Sequence, residues 1–88
     1  MQDKRGLYYY PQAGNHKVRV YVRRQDSVVE FRLWQDELPE VWERHGWIPY
    51  RVLQDAAQLY REERNADADP LRIYDINVAE LLLREAEQ

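Results

Sequence analysis

Residues 17–35, KVRVYVRRQDSVVEFRLWQ, contain the alternation of side chains that decides the fold. Apolar residues alternate with basic, acidic or aromatic ones over 17–24 and again over 28–35, which is the period-two pattern of half-buried β-strands. Residues 25–27 favour a tight turn, so the two strands are predicted to form an antiparallel hairpin. Their aliphatic faces must coincide, because a one-residue slip would expose one of them. That shared face consists of Val18, Val20, Val22, Val29, Phe31 and Leu33.

The segment before the hairpin, GLYYYP at 6–11, predicts a third strand, since consecutive tyrosines suit a pleated surface. Leu7 and Tyr9 should lie on one face of this strand, and Tyr8 and Tyr10 on the other. AGNH at 13–16 has the composition of a turn. The connection between Pro11 and Lys17 is too short for a crossover helix. We therefore expect this strand to pair antiparallel with the hairpin and complete a meander over 6–11, 17–24 and 28–35.

After the hairpin, the segment 34–50, WQDELPEVWERHGWIPY, holds all three tryptophans and marks the change from strand to helix. Asp36 is predicted to cap a short helix that has Pro39 in its first turn. Gly46 should follow the end of that helix in a left-handed conformation, and Pro49 should open a second helix running to about Arg64. The rings of this segment are expected to fasten the short helix to the sheet.

The second helix is the clearest one, because apolar residues recur at helical spacing throughout it. Its apolar side is composed of Val52, Leu53, Ala56, Ala57, Leu59 and Tyr60. Residues 65–70, NADADP, predict a loop, and Leu71–Tyr74 is compatible with a brief extended segment. A last helix, about 76–87, is predicted with Asp75 or Asn77 as its cap. Its three consecutive leucines, 81–83, cover more than half of a helix circumference, so one of them should lie outside the core.

Together these elements predict one small α+β domain over residues 1–88. In it, a three-stranded antiparallel meander is followed by a short helix, a long helix and a C-terminal helix, all packed on one sheet face. The chain has no cysteine, which excludes disulfides and thiolate-bound zinc and favours a reducing, cytoplasmic location. It shows neither a signal-peptide pattern nor an apolar run long enough for a membrane span.

Charge is distributed unevenly along the chain. Residues 1–35 carry seven basic and three acidic groups, a net charge of +4, whereas residues 36–88 carry six basic and thirteen acidic groups, a net charge of −7. The basic half could attract a nucleic acid, an acidic partner protein or a second copy of the chain. Alternatively, the two halves attract each other within one monomer.

Few residues suit catalysis or cofactor binding. The chain has one serine, Ser27, in the hairpin turn, and no threonine, and neither histidine is placed beside a nucleophile by any local motif. Three isolated glycines cannot build a phosphate-binding loop. The group Asp36, Glu40, Glu43 and His45 contains one histidine only, so the pattern favours an acidic helix face over a metal or catalytic site. We therefore expect no catalytic residue, no metal and no cofactor.

The stronger functional pattern is the polar face of the hairpin. Here cations and flat rings share one sheet surface, a combination typical of single-stranded nucleic-acid binding. The face consists of Arg19, Tyr21, Arg23, Arg32 and Trp34. Glu30 interrupts it, and the chain as a whole is acidic. In the other interpretation, Trp34, Trp42 or the last helix partly covers this face, and its arginine contacts stabilise the fold alone.

Amphipathic helices and exposed arginines and tyrosines also suit a surface that binds another protein. The hypothesis from sequence is thus a small non-enzymatic binding module that acts through protein–protein contacts, as a homodimer in one version. Nucleic-acid binding through the polar sheet face is the first alternative, and a small-ligand or catalytic role around His45 is the second.

Overall fold

The chain forms an α+β domain with a five-stranded antiparallel sheet and three α-helices, seen in a computed structural model that describes residues 1–62 and 69–87. The strands lie side by side in chain order, and every neighbouring pair is antiparallel. The strands are β1 (Gln2–Asp3), β2 (Gly6–Tyr9), β3 (Val18–Gln25), β4 (Val28–Gln35) and β5 (Ile48–Pro49). The helices are α1 (Glu40–His45), α2 (Tyr50–Glu62) and α3 (Ile76–Ala86), with a 3₁₀ helix at Pro70–Arg72.

The β3–β4 hairpin has the predicted register. Val20 pairs with Leu33 and Val22 with Phe31, which places the aliphatic residues of both strands on one face. Two residues connect the strands, and both have positive φ: Asp26 at 50° and Ser27 at 70°. Positive φ at both positions is the signature of a type I′ turn, whose twist matches that of the flanking strands.

The antiparallel pairing of β2 with β3 is also confirmed, but the prediction of three strands is wrong, because the sheet has five. The two further strands, β1 and β5, have two residues each, which is too short to produce a period-two pattern in the sequence. Pro49 is part of β5 and pairs with Glu30, so α2 begins one residue later, at Tyr50. Proline is tolerated there because β5 is an edge strand.

The predicted cap of α1 is wrong. The backbone N–H of Asp36 donates to the carbonyl of Lys17 at 2.8 Å, which extends the β3–β4 pairing beyond the hairpin. Pro39 occupies the N-cap position instead, and no side chain caps the helix there. Gly46, directly after the helix, has φ of 61°, the positive value expected of a glycine at this position.

The region before α3 differs in part from the expectation. Residues 70–72 form a 3₁₀ helix rather than an extended segment, because the Asp69 carboxylate accepts a hydrogen bond from the N–H of Leu71 at 2.9 Å and begins a helical turn. Asp75 caps α3 as predicted, accepting from the N–H of Asn77 at 2.9 Å. The predicted end of the second helix at 63–64 and most of the predicted loop, 65–68, lie outside the described residues.

The core lies between the aliphatic sheet face and the helices. It joins residues of β3 and β4 to Val41 of α1, Leu53 of α2, and Ala79 and Leu83 of α3. Of the three consecutive leucines, Leu83 is buried, Leu82 is partly buried and Leu81 is 54% exposed, so the prediction that one lies outside the core is confirmed. Within the described ranges, no helix is both long and apolar enough to cross a membrane.

Candidate interaction face

The sheet surface opposite α2 and α3 gathers all five residues that the sequence singled out. The short helix α1 contacts both sides, because its Val41 joins the core and its Trp42 lies on this surface, so the prediction that all three helices pack on one sheet face is not confirmed. Cross-strand pairing sets Arg19 beside Trp34 and Tyr21 beside Arg32, with Arg23 beside Glu30. The residues therefore share one continuous face, as the alternation predicts. What this face can bind depends on how its side chains are held.

Arg19 is held between two aromatic rings. Its guanidinium carbon lies 4.7 Å from the centre of the Tyr8 ring and 4.8 Å from that of Trp34. Its Nη1 also donates to Asp3 of β1 at 2.9 Å. The ring faces attract the cation electrostatically, and the carboxylate fixes its orientation. The partly buried Arg19 is thus a rigid part of the surface.

Arg32 and Arg23 stack on the other two tryptophans. The Arg32 guanidinium lies 3.9 Å from the ring centre of Trp42, and its Nε donates to the carbonyl of the same residue at 2.9 Å. The Arg23 guanidinium lies 4.4 Å from the ring centre of Trp47 and donates to Glu30 at 2.6 Å. Each arginine therefore has one tryptophan, and we call Arg19, Arg23, Arg32, Trp34, Trp42 and Trp47 the arginine–tryptophan face.

Tyr21 lies beneath this face and is fully buried. Its ring contacts Tyr8 and Trp42, and its hydroxyl donates to the Asp3 carboxylate. Burial, followed by the hydrogen bond to Asp3, raises the pKa of the Tyr21 phenol. The predicted role of Tyr21 as a contact residue would therefore require the rings above it to move.

The Asp3 carboxylate fastens the β1 edge to the same face. Burial acts to raise its pKa, but the hydrogen bonds from Tyr21 and from the backbone N–H groups of Arg5 and Gly6, together with the charge of Arg19, outweigh burial and hold the pKa below its usual value. Asp3 is therefore ionised at neutral pH and neutralises part of the positive charge of the face.

The sequence does not predict that Trp47 belongs to the arginine–tryptophan face or that Arg5 lies beside it. Trp47 precedes β5, and its orientation follows from the pairing of Ile48 with Phe31, which the sequence did not reveal. Arg5, in the turn between β1 and β2, lies 5.9 Å from the ring centre of Trp42. The alternation in 6–11 predicts the side of the sheet on which Tyr8 lies, and Trp42 is one of the residues that the sequence allows as a cover for this face. The positions of Trp47 and Arg5 depend on the short strands β5 and β1, which leave no alternating pattern in the sequence.

Ion pairs connect the basic and acidic halves of the chain within the monomer. Arg24 of β3 binds Glu80 and Glu87 of the α3 region, each at 2.9 Å. Lys17 lies 3.5 Å from Glu37, and Arg32 lies 3.7 Å from Glu43. Much of the positive charge of residues 1–35 is therefore balanced internally, which favours the intramolecular interpretation of the charge asymmetry.

His45 lies apart from the arginine–tryptophan face. It lines a cleft of about 790 Å³ between α2 and the 3₁₀ helix, together with Tyr60, Asp69 and Arg72. In the described part of the chain, no three His, Cys, Asp or Glu residues are grouped so as to hold a metal ion. The acidic residues near His45 in sequence, Asp36, Glu40 and Glu43, are exposed and do not line this cleft.

Comparison with known protein families, with curated proteins and with solved structures finds no match to this chain. A rigid surface of cations and indole rings offers hydrogen-bond donors and flat apolar area side by side. Such a surface can bind carboxylates, phosphates, apolar side chains or bases.

Proposed function

We propose that this chain is a non-enzymatic, cytoplasmic binding module whose arginine–tryptophan face binds an acidic segment of a partner protein. The observation that supports the proposal is the stacking of three arginines on three tryptophans across one face of a sheet. Tryptophan, tyrosine and arginine are the residues that most often dominate binding energy at protein interfaces. Here they are held in place before any partner arrives, which lowers the entropy lost on binding.

The accessible charge of the face favours an acidic partner. Arg23 is the most exposed of the three stacked arginines, with 41% of its side chain accessible, and Lys4 and Arg5 are exposed nearby. A guanidinium has five N–H donors, so the carboxylate of Glu30 cannot satisfy all those of Arg23. The remaining donors can bind a carboxylate from outside while the adjacent Trp47 ring packs against apolar atoms of the same segment.

Single-stranded nucleic acid is the second candidate for the same face. Phosphates could bind the arginines and bases could stack on the indoles. We place it second because each stacked arginine already has a carboxylate nearby, at 2.9 Å for Arg19, 2.6 Å for Arg23 and 3.7 Å for Arg32. These carboxylates reduce the positive charge available to any anionic ligand. The loss weighs more on a single strand, which carries a phosphate at every nucleotide and binds mainly through charge, than on an acidic segment that also presents apolar side chains to the indoles.

The three tryptophans make the proposal directly testable, because all of them belong to this face. The three indole N–H signals in a ¹⁵N-labelled sample therefore report on it selectively. Peptides would be selected from a random display library against the wild-type protein and then titrated into that sample. We expect selected peptides rich in Asp and Glu that shift the indole signals and lose at least about tenfold in affinity on Arg23→Ala. Selected peptides that leave all three signals unmoved would overturn the proposal.

The control variant is Leu81→Gln, which changes an exposed side chain on α3. It should bind the selected peptides as the wild type does. A second titration uses a thymidine oligonucleotide of about ten bases, the range that such binding sites cover. If the oligonucleotide shifts the indole signals and no peptide does, nucleic-acid binding replaces protein binding as the function of this face.

A further inference from the structure

We infer that the outer stripe of α2, formed by Val52, Ala56 and Leu59, is a homodimer interface in which α2 packs antiparallel against α2 of a second copy. This contact is separate from the arginine–tryptophan face and does not depend on the function proposed for it. Dimerisation through α2 would give the assembly two copies of that face. The second copy is favoured as the occupant because of the order of small, large and charged residues along the helix.

The stripe is apolar and its two larger residues are exposed, whereas Ala56 is half-buried and lines the cleft between α2 and the 3₁₀ helix. Val52 is 52% exposed and Leu59 is 53% exposed, whereas Leu53 and Ala57 of the same helix are buried in or against the core. At 100° per residue, Val52, Ala56 and Leu59 fall within about 60° of one another and lie beside the buried side of the helix. Their i, i+4, i+7 spacing is the one by which a helix packs against another helix.

The stripe is complementary to itself when two copies run antiparallel. A two-fold axis near Ala56 sets Val52 of one copy opposite Leu59 of the other, and the same contact is repeated on the other side of the axis. The alanine at the centre lets the two backbones approach closely, while the larger side chains fill the space on either side. A parallel arrangement would instead place like residues together along the whole stripe.

The charges beside the stripe fit the same arrangement. Arg51 and Glu62 are exposed on its polar flank, and Gln58 donates to Glu62 at 3.3 Å. In the antiparallel pair, Arg51 of one copy lies within about 3 Å, along the helix axis, of Glu62 of the other, from the rise of about 1.5 Å per residue. Two such opposite-charge pairs form per dimer. Asp55 lies close to the axis on this flank, and its proximity to the Asp55 of the second copy limits the affinity.

The dimer should be weak. A contact between two helices of thirteen residues buries less than the roughly 1,200 Å² typical of stable interfaces. Sedimentation velocity should therefore be run from about 10 μM to about 1 mM, the range of weak association. We expect the sedimentation coefficient to rise from that of a monomer toward that of a dimer. A strict monomer at the highest concentration overturns the inference.

Three variants test the interface. Leu59→Gln should weaken dimerisation by at least about tenfold, because each dimer loses the side chain twice. Leu81→Gln is the matched control, since Leu81 is equally exposed but lies on α3, and it should leave dimerisation unchanged. Asp55→Asn should strengthen dimerisation. If Leu59→Gln has no more effect than Leu81→Gln, the stripe is not the interface.

Charge exchange tests the antiparallel arrangement. Arg51→Glu alone and Glu62→Arg alone each place like charges together and should weaken self-association. An equimolar mixture of the two variants should form a heterodimer, because opposite charges then meet at both ends of the contact. If the mixture associates no better than either variant alone, the antiparallel pairing is wrong. Circular dichroism confirms that every variant is folded, and peptide binding to the arginine–tryptophan face is measured separately.

Discussion

At the scale of single residues, Tyr9 joins the sheet to the beginning of α3 through one hydroxyl group. The hydroxyl donates to the carbonyl of Ile73 at 2.6 Å and accepts from the N–H of Asp75 at 2.8 Å. Because Asp75 caps α3, this side chain positions the start of the helix on the sheet. We expect Tyr9→Phe to lower the free energy of unfolding by about 1–3 kcal/mol, since it leaves the carbonyl of Ile73 and the N–H of Asp75 without this hydrogen-bond partner.

Urea denaturation measures this change, and an unaltered stability would contradict it. The pH dependence supplies a second readout. Burial raises the pKa of the Tyr9 phenol well above its ordinary value of 10.0. The stability due to the neutral phenol is present below pH 10 and is lost as the pH rises toward the higher folded value. Tyr9→Phe should therefore weaken the alkaline loss of stability.

The Asp3 carboxylate makes the free energy of unfolding depend on pH at the acid end of the range. Its lowered pKa means that the folded state favours the ionised carboxylate. The resulting stability is complete above the ordinary value of 3.8 and is lost as the pH falls through the lower folded value. Asp3→Asn should be less stable than the wild type at pH 7, and the difference should shrink below about pH 4. A difference that stays constant between pH 7 and pH 2 would contradict this role.

At the scale of elements, the turn between β3 and β4 contains a local strain that the hairpin tolerates. Ser27 has φ of 70°, a left-handed conformation that favours glycine. We expect Ser27→Gly to stabilise the protein by about 0.5–1 kcal/mol, because relief of the left-handed conformation exceeds the added freedom of the unfolded chain. Thermal denaturation measures the gain. Ser27→Ala removes the same hydroxyl without relieving the backbone, so an equal gain in that variant would refute the explanation.

The elements that could be predicted from sequence are those whose signals are local and repeated. The β3–β4 hairpin alternates over eight residues in each strand, and α3 begins at an aspartate that caps it. By contrast, β1 and β5 have two residues each, and their pairing depends on neighbours distant in sequence. The Asp36 cap was wrong for a related reason: the backbone of Asp36 pairs with Lys17, and this tertiary contact outweighs the local capping preference.

The candidate site was predictable to the same extent. Alternation within β3 and β4 places Arg19, Arg23, Arg32 and Trp34 on one face, and the structure brings them together. Alternation says nothing about what lies above a face, so it left open whether the face is exposed or partly covered, and the contacts of Trp42 and Tyr8 with the buried Tyr21 ring favour partial cover. The pairing of arginines with tryptophans from the α1–β5 segment likewise depends on how that segment crosses the edge of the sheet.

At the scale of the whole molecule, the sheet separates two layers of different chemistry. On one side, aliphatic residues pack against the helices and form the core. On the other, arginines and aromatic rings form a second layer, which is completed by Trp42 of α1 and by Trp47. A domain of 88 residues buries roughly 60–65% of its unfolded surface, so its core alone provides limited stability. The outer layer should therefore contribute measurably to folding as well as to binding.

Substitutions of two tryptophans in the outer layer distinguish its contribution to folding from its contribution to binding. Trp42 packs on Arg32 and contacts the rings of Tyr21 and Trp47, whereas Trp34 stacks on Arg19 at the margin of the layer. We expect Trp42→Ala to cost about 3 kcal/mol of unfolding free energy, in the range for removal of a packed ring, and Trp34→Ala about 1–2 kcal/mol. Guanidinium denaturation of both variants measures the two values.

The same pair of variants relates stability to function. Trp34→Ala should remain folded at 25 °C and yet bind the selected acidic peptides less tightly, because its ring is an accessible part of the face. If both substitutions cost the same small amount, the outer layer does not hold α1 on the sheet. If Trp34→Ala binds as the wild type does, the contact with the partner is restricted to the Arg23–Trp47 end of the face, where the guanidinium is most exposed.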